Sequence, residues 1–371
     1  MQISKIRFSN HEATLFAQEV KTQVADYFEV TGRSSKADSR MVFKTIIFLL
    51  ITYGSYGLIL SNQFSAWQML WLAVLMGVGI AGIGFCIAHD ALHGAYSPNP
   101  QVNKFIGYTF DLLGANGYIW KIAHNTIHHT YSNIPGIDQD LMVSPLIRFS
   151  SATPLKPIHK YQHIYAFFAY SFATLNWLFM KDFLCFQLRD FGPCKDLVHS
   201  RAEVVNLIWT KLFVYAYTIA IPLLILDITW WQFLIGFTVM HITAGLILGV
   251  VFQLAHVVEG LEFPVPDENN AIEHTWLIHQ MLTTANFAHE NQLLSWFIGG
   301  LNYQIEHHLF PQVCSIHYPT ISQIVREVAQ KHGVPYNYYP TFFSAIKSHY
   351  SMLKKLGDPP TEINTNPSLC S

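Results

Sequence analysis

The chain has 371 residues, of which 51% are hydrophobic, 15% aromatic and only 12% charged. An average soluble domain has about 25% charged residues, and the mean hydropathy of +0.25 is high for a chain surrounded by water. The formal net charge is -2, so there is no basic excess that would favour nucleic acid. We therefore expect an integral membrane protein that does not bind nucleic acid.

The first predicted element is an amphipathic segment over residues 9–30. Charged residues alternate with apolar residues that lie near helical spacing. The apolar residues are Leu15, Phe16, Val20, Val24 and Phe28. We expect this helix to lie on the membrane surface or against a cytosolic cap, within a cytosolic N-terminal segment of residues 1–41. No cleaved signal peptide is predicted, because the charged start, short apolar core and cleavage site are missing.

Four apolar stretches are long enough to cross a hydrocarbon core about 30 Å thick as helices. They cover about residues 42–60, 66–88, 207–226 and 230–258, and none of them contains Asp or Glu. Short polar segments, 61–65 and 227–229, separate the members of each pair. The sequence therefore predicts an all-α integral membrane fold with four transmembrane helices arranged as two hairpins.

The distribution of positive charge predicts the orientation. Seven of the 22 Lys and Arg residues lie in 1–44, ten in 104–211 and five in 326–371, and none in 45–103 or 212–325. Because Lys and Arg near spans favour the cytosolic side, both termini and the central region should be cytosolic. The apolar stretches 105–120 and 161–180 should then lie in the membrane interface or against the cap instead of crossing.

The remaining organisation is simple. We expect one domain over residues 1–371, with a cytosolic helical cap at 259–356 and a disordered tail at 357–371. Five cysteines form no C-x-x-C pair and are expected to be reduced thiols: Cys86, Cys185, Cys194, Cys314 and Cys370.

A G-x-G-x-x-G pattern, formed by Gly77, Gly79 and Gly82, lies inside an apolar span with no strand before it. The dinucleotide-binding fingerprint lacks its structural context there, so close helix packing is the favoured interpretation.

Histidine carries the functional signal, with 19 residues in the chain. Three short groups and one single residue fall at the predicted cytosolic ends of the spans if residues 161–180 do not cross: His89 and His93; His124, His128 and His129; Gln304, His307 and His308; and His256. Residues four apart share a helix face, so His89 with His93, and His124 with His128, could each direct two imidazoles at one point. His129 could then reach a second, neighbouring point.

Eight imidazoles exceed the four ligands of one zinc ion, so they predict a two-metal site. Imidazole is compatible with Fe, Zn, Cu and Ni, so ligand type alone leaves the metal open. A site beneath a lipid-embedded, aromatic-rich bundle suggests redox chemistry on an apolar chain. Five polar residues near the histidines could orient the imidazoles or could be helix caps or solvated residues: Asp90, Asn125, Asp138, Asp140 and Glu306.

The other histidines lack paired spacing. His241 lies in mid-span, about 22 Å along the helix from His256, and is expected to be a neutral hydrogen-bonded core residue, with tunnel lining as the alternative. Seven further histidines are expected to be caps, loop residues or surface residues: His159, His163, His199, His274, His279, His289 and His317.

The motifs H-D-x-x-H, H-N-x-x-H-H and Q-x-x-H-H resemble those of the integral-membrane fatty acid desaturases, and more narrowly of the front-end type and its bacterial acyl-CoA or acyl-lipid relatives. The resemblance extends from the first span to about Leu356, and its most specific stretch is 299–311, followed by His317-Tyr-Pro319. Gln304 stands where many desaturases have another histidine, which is the mark of the front-end group.

The resemblance implies two iron ions that activate O2, and a fatty acyl substrate carried as a CoA thioester or in a lipid. By position, it implies eight histidines that are both metal ligands and catalytic residues, with Gln304 as a further metal ligand: His89, His93, His124, His128, His129, His256, His307 and His308. It also implies a multi-pass protein of the bacterial inner membrane or the endoplasmic reticulum, with the site on the cytosolic face.

Many front-end members carry a fused cytochrome b5 domain with an H-P-G-G haem motif. That motif is absent here, and about 41 residues precede the first span. We therefore expect electrons to come from a separate protein, a cytochrome b5 or a ferredoxin with its reductase. Two alternatives stay open at this point: a fatty acyl hydroxylase on the same scaffold, and a zinc-dependent membrane lipid hydrolase.

Overall fold

The computed structural model describes residues 2–3, 6–9, 14–141 and 145–359, and these are mostly helical. In chain order, the helices are α1 (Thr14–Thr31), α2 (Ser39–Leu60), α3 (Ala66–Leu92), α4 (Pro100–Leu112), α5 (117–131), α6 (Gln162–Tyr170), α7 (173–187), α8 (Arg201–Ile225), α9 (Trp230–His256), α10 (Trp276–Thr283), α11 (Gln292–Phe297), α12 (Gln304–Leu309), α13 (Tyr318–His332) and α14 (Phe342–Gly357). Two short 3₁₀ turns cover Pro157–Tyr161 and Ser315–His317.

Within the described parts of the chain, six two-residue strands pair as three ribbons. Strands β1 (Gln2–Ile3) and β3 (Cys194–Lys195) are antiparallel, whereas β2 (Arg7–Phe8) with β4 (Ala271–Ile272), and β5 (Asn286–Phe287) with β6 (Tyr338–Tyr339), are parallel. They fasten the N-terminal arm and the C-terminal third to the helices.

Four helices among the described residues, α2, α3, α8 and α9, are long and apolar enough to cross a membrane. The four predicted spans therefore each form a helix of the expected length and apolar character, with bounds that differ by up to six residues. Helices α3 and α9 have 27 residues each, about 40 Å, and a hydrocarbon core is about 30 Å thick. Both can therefore extend beyond the core, and their final turns carry His89 and His256.

Helices α3 and α9 pack closely along their length because small residues lie between them. A Cβ atom on Gly77 would lie 2.4 Å from the carbonyl oxygen of Met240 in α9. One on Gly79 would lie 2.3 Å from Oγ1 of Thr52 in α2. The interpretation of these glycines as helix-packing positions is thus confirmed.

The two apolar stretches expected at the interface reach deeper between the spans than that expectation implies. At the end of α4, the carbonyl of Leu112 accepts a hydrogen bond from the hydroxyl of Tyr217. Tyr217 lies 16 residues, or about 24 Å, beyond the first residue of α8. Between α6 and α7 the chain turns, and Thr174 donates to the carbonyl of His241 at 2.9 Å. Residues 161–180 are divided between α6 and α7 and are not among the four helices long and apolar enough to cross a membrane. That they do not cross stays a prediction.

Side chains of α8 satisfy the backbone carbonyls at the turns of these inserted segments. Lys211 Nζ donates to the carbonyls of Gly114 at 2.6 Å and Trp177 at 2.7 Å, and pairs with Asp182 at 2.7 Å. Unpaired backbone carbonyls are costly in an apolar environment. Helix α8 therefore fixes where both inserted segments turn back towards the histidines.

The N-terminal helix α1 packs against protein. Phe16, Val20 and Val24 are buried in a cluster with Ile321 and Val325 of α13. One of the two environments predicted for this helix, contact with other helices, is therefore present.

An apolar cavity of about 320 Å³ lies between the spans at the end away from the histidines, bounded by Met76, Met240, Tyr56 and Trp231. Met76 precedes His89 by 13 residues, about 20 Å along the helix. The cavity is therefore separate from the histidine groups. Of the predicted disordered tail, only residues 357–359 are described, and Cys370 lies outside the described residues. The other four cysteines are free and buried.

Candidate metal centre

The histidines lie where helices end or change their winding. His89 follows a π-helical turn, Ile83–Ala88, and His93 follows the last turn of α3. His256 is the last residue of α9, and His307 and His308 lie in the short helix α12. π-Helical turns are rare and occur frequently at functional sites. These elements direct eight imidazoles into one buried region.

Seven of these histidines form two groups that could each hold a metal ion. The ligand atoms of each group lie within 4.8 Å of one another, and every member is buried: His89, His93, His124 and His307 in the first; His128, His256 and His308 in the second. The rings of His124 and His128, one from each group, have centroids 5.0 Å apart. The two groups are therefore adjacent.

The prediction that His124 and His128 direct their imidazoles at the same point is wrong. Residues Lys121–His128 wind as a π-helix, whose hydrogen bonds join residues five apart. Accordingly His124 Nε2 faces Nε2 of His129, five residues on, at 3.3 Å. His124 joins the first group and His128 the second. The pair His89 and His93, in contrast, falls in one group as predicted.

His129 and Gln304 complete the cluster. The His129 ring lies 4.7 Å from His93, 4.6 Å from His307 and 4.3 Å from His308, measured between centroids, and so stands between the two groups. The amide nitrogen of Gln304 is 3.0 Å from Nε2 of His256. All nine residues in the predicted site are thus brought together.

Four imidazoles have their Nδ1 atoms held by neighbouring polar groups. His124 meets Asp140 at 2.7 Å, and His128 meets Asp138 at 2.9 Å. His307 meets the hydroxyl of Tyr318 at 3.1 Å, and His308 meets Oε1 of Gln280 at 2.7 Å. Such partners fix the ring orientation and tautomer of metal-binding histidines.

The opposite nitrogens are available for a metal. Nε2 of His93, His128, His307 and His308 is buried and has no hydrogen-bond partner. Buried polar atoms are normally paired, so a cluster of orphaned ring nitrogens facing one another points to a missing ligand. Neutral nitrogen donors in two groups fit a pair of transition-metal ions such as iron.

Electrostatics keeps most of this cluster neutral. Burial, reinforced by neighbouring imidazoles, lowers the pKa of His93, His124, His129, His307 and His308 well below the usual value. At His128 burial also opposes the charged form, but the Asp138 carboxylate outweighs it and raises the pKa. Neutral imidazole is the form that binds metals, so at the five histidines with lowered pKa protons compete little with a metal ion.

Two of the five predicted orienting residues contact an imidazole nitrogen within hydrogen-bond distance, namely Asp138 and Asp140. Asp90 instead accepts hydrogen bonds from the backbone and hydroxyl of Ser315, both at 3.0 Å. Asn125 donates to the carbonyl of Leu92.

Glu306 does not contact a histidine either. It accepts from Asn286 at 2.8 Å and Tyr336 at 3.0 Å, and burial raises its pKa to about 7.

Sequence analysis missed Gln280 and Tyr318, because no spacing links them to the histidine motifs. Tyr318 follows His317 in the conspicuous H-Y-P triplet, which was the only available signal. It also missed two aromatic neighbours: Trp120 stacks on His124 with centroids 4.3 Å apart, and Phe252 lies 4.9 Å from His256. These rings form apolar walls of the centre.

The remaining histidines lie outside the two groups. His241 Nδ1 is 3.1 Å from Oγ1 of Thr174, which confirms a hydrogen-bonded core role. His279 is 1% exposed, so the expectation of a cap, loop or surface position is wrong for it. Its helix, α10, is packed inside the protein, where the neighbouring Gln280 contacts Nδ1 of His308.

The chain is similar to known proteins over most of its length. The family model described as fatty acid desaturase matches residues 65–340, which include all eight histidines. The sn-1 linoleoyl-lipid 6-desaturase of Synechocystis sp. is 34% identical over 354 residues, covering 95% of this chain and 98% of the relative. The protein of the same description from Arthrospira platensis is 35% identical over 353 residues, covering 95% of each chain.

A third relative is longer. The acyl-lipid (8-3)-desaturase of Physcomitrium patens is 32% identical over 354 residues, which is 95% of this chain but 74% of that protein.

Proposed function

Because the chain belongs to the fatty acid desaturase family, we propose that it introduces a cis double bond into a fatty acyl chain carried by a membrane lipid. Membership makes it a membrane-bound oxidoreductase of the front-end type. The observation that supports the proposal is the pair of buried histidine groups at the ends of apolar helices. Such a centre suits oxidation of a hydrocarbon chain that arrives from the bilayer.

We propose that two iron ions occupy the two groups. The ligands would be Gln304, which lies beside His256, and the eight clustered histidines, of which His129 lies between the two groups: His89, His93, His124, His128, His129, His256, His307 and His308. An iron pair supplies activation of O2 for removing hydrogen from two adjacent methylenes. The orphaned Nε2 atoms on His93, His128, His307 and His308 support this assignment.

The chain's own residues position and shield the reaction. Trp120 and Phe252 line the imidazoles with apolar surface, which keeps water from the substrate methylenes. Asp138 and Asp140 hold His128 and His124 in fixed tautomers. Which acyl carbons lie beside the centre would then depend on how the chain is held.

We propose the predicted topology: two hairpins, α2 with α3 and α8 with α9, in one domain with the histidines, both termini and residues 259–356 on the cytosolic side. The absence of Lys and Arg from 45–103 and 212–325 supports this orientation. At the opposite end, Asn62 and Ile225 join the two hairpin tips by a hydrogen bond of 2.8 Å.

The relatives indicate where the double bond should be sought. Two that are covered almost completely are described as acting at position 6 of an acyl chain in a lipid. We therefore propose a lipid-linked substrate and desaturation between the carboxyl group and an existing double bond, first at position 6. We also propose that electrons come from a separate protein, a cytochrome b5 or a ferredoxin with its reductase.

The test is fatty acid analysis of a host that expresses this chain and is supplied with linoleoyl lipids. Gas chromatography with mass spectrometry, after derivatisation of double bonds, should show a new unsaturated acid. His308→Ala should abolish it, because one ion loses a ligand. His274→Ala changes a histidine outside both groups and should leave it unchanged.

A hydroxylated product dependent on His308 would replace desaturation by the hydroxylase alternative. Purified protein that is fully active with zinc and lacks iron would favour the lipid hydrolase instead. The names of the relatives support neither alternative.

A further inference from the structure

Asn133 lies in the turn that follows α5, and its side chain is fully buried. The backbone N–H of Asn133 donates to Oδ2 of Asp138 at 3.0 Å. The same carboxylate oxygen lies 2.9 Å from Nδ1 of His128, a member of the second histidine group. Asn133 therefore helps to fix the carboxylate that orients this histidine.

The side chain of Asn133 reaches the end of a different helix. Its Nδ2 donates to the carbonyl of His256 at 2.9 Å and to the carbonyl of Glu262 at 3.2 Å. His256 is the last residue of α9, and the last four carbonyls of a helix have no partner within it. One amide group thus fixes the end of α9 and the loop that follows it.

The ring of His256 depends directly on the position of this helix end. The other two members of the second group, His128 and His308, have Nδ1 held by the side chains of Asp138 and Gln280. In the described part of the chain, no polar side chain holds Nδ1 of His256. A shift of the His256 backbone would therefore move its ring more readily than the other two.

Asn133 occupies its position at two structural costs. Its φ is 58°, in the left-handed region that residues other than glycine rarely adopt. Its Oδ1 is buried and has no hydrogen-bond partner in the part of the chain that the structure describes. Asparagine tolerates this backbone conformation and also supplies two N–H donors, which neither glycine nor aspartate can do. Local costs of this kind are concentrated at functional sites.

We propose that Asn133 is a positioning residue of the second histidine group, which fixes His128 and His256 relative to each other. It acts through Asp138 on the first of these histidines and through a backbone carbonyl on the second. The inference rests on the proposed occupation of both histidine groups by metal ions. Its consequence is selective: loss of the Asn133 amide should weaken binding of the ion in the second group only.

The test measures the iron content of the purified full-length protein in detergent during titration with a chelator. Asn133→Gly suits the left-handed backbone but lacks the side chain, and Asn133→Asp keeps the shape but lacks the two N–H donors. Both should bind one of the two ions roughly 10–100-fold more weakly and the other as in wild type. Asn270 has nearly the same φ, 57°, at an exposed position, so Asn270→Gly is a matched control that should retain both ions.

Double variants identify which ion is weakened. His308→Ala removes a ligand of the second group, so adding Asn133→Gly should lower the iron content no further. His89→Ala removes a ligand of the first group, and adding Asn133→Gly there should release the remaining ion. Unfolding temperatures show that each variant is folded.

Retention of both ions by Asn133→Gly and Asn133→Asp would overturn the inference and leave the proposed function intact. Equal weakening of the two ions would also overturn it, because a general loosening of the fold would then be the cause. Wild-type protein that binds no metal would overturn the proposed metal centre, and this inference with it.

Discussion

The phenol oxygen of Tyr318 lies 3.1 Å from Nδ1 of His307, and both residues are buried. This hydrogen bond joins the first turn of α13 to α12 and holds the ring whose Nε2 has no other partner. Tyr318 thus links the fold of the C-terminal third to the geometry of the first histidine group.

Replacing Tyr318 by Phe should weaken metal binding without disturbing the fold. The ring is kept and only the hydroxyl is lost, so His307 can rotate and change tautomer. Loss of such an outer partner typically costs roughly 10–100-fold in metal affinity. Iron retention should be measured by elemental analysis during titration with a chelator. Unchanged retention would show that packing alone orients His307.

Asp138→Asn tests the same principle with a charged partner. The carboxylate is 2.9 Å from Nδ1 of His128 and raises the pKa of that ring against the effect of burial. The amide preserves shape but removes the charge, so we expect a larger loss of iron affinity than for Tyr318→Phe. The second histidine group should be affected first, which Mössbauer spectra of the two iron sites would reveal. Equal loss at both sites would contradict the assignment of His128.

Much of this architecture could be predicted because the signals are local. The four spans follow from runs of apolar residues, and the histidine positions follow from H-x-x-x-H spacing. The separation of His124 from His128 could not be predicted, since a π-helical turn changes which residues share a face without changing the spacing. Gln280 and Tyr318 reach their histidines only through tertiary packing.

How deeply the two inserted segments lie between the spans could not be predicted from the sequence either. Residues 105–120 and 161–180 are apolar but too interrupted to cross, which suggests an interface. Their actual position depends on polar side chains in another helix, such as Lys211 and Tyr217, which donate hydrogen bonds to the backbone carbonyls of these segments. Such pairings join residues far apart in the chain, so no local pattern reports them.

Lys211→Met should destabilise the protein strongly. Lys211 and Asp182 are 2% and 3% exposed, so the variant leaves a buried carboxylate without its cation. Breaking a buried pair on one side costs roughly 3–5 kcal/mol. The exposed pair of Lys195 and Asp190 is a matched control, and Lys195→Met should cost about 0.2–1 kcal/mol. Thermal unfolding in detergent measures both.

Adding Asp182→Asn to Lys211→Met should recover part of the lost stability, because the unpaired charge is removed. A double variant as unstable as the single one would mean that Lys211 acts mainly through the carbonyls of Gly114 and Trp177.

Gly77→Ala should loosen the contact between α3 and α9. The added Cβ would lie 2.4 Å from a backbone oxygen of α9, so the helices must separate. Gly57, in α2, has no atom from beyond its own helix backbone within 4 Å of its Cβ position, and Gly57→Ala should be neutral or slightly stabilising because alanine favours helix. Unfolding temperatures of the two variants should therefore shift in opposite directions or by clearly different amounts. Equal shifts would contradict the packing role of Gly77.

A further prediction concerns pH and His349 of α14. Its Nδ1 donates to the carbonyl of Val257 at 2.6 Å, so the neutral ring accepts from Tyr170 through Nε2 at 2.9 Å. Burial lowers the pKa of His349 to about 4, against 6.5 for an unperturbed histidine. The folded state thus favours the neutral ring, and its contribution to stability is complete above pH 6.5 and is lost as the pH falls towards 4.

His349→Phe isolates this contribution because the variant cannot titrate. At pH 8 it should be less stable than wild type, since Val257 and Tyr170 lose their partner. At pH 5 the difference should shrink by about 2 kcal/mol. At that pH the ring is protonated in unfolded wild type but still mostly neutral in the folded protein, so wild type loses stability. Denaturant unfolding in detergent at both pH values measures the two differences, and effects shared by both proteins, such as protonation of other histidines, cancel. A difference that stays constant with pH would show that His349 keeps an ordinary pKa in the folded protein.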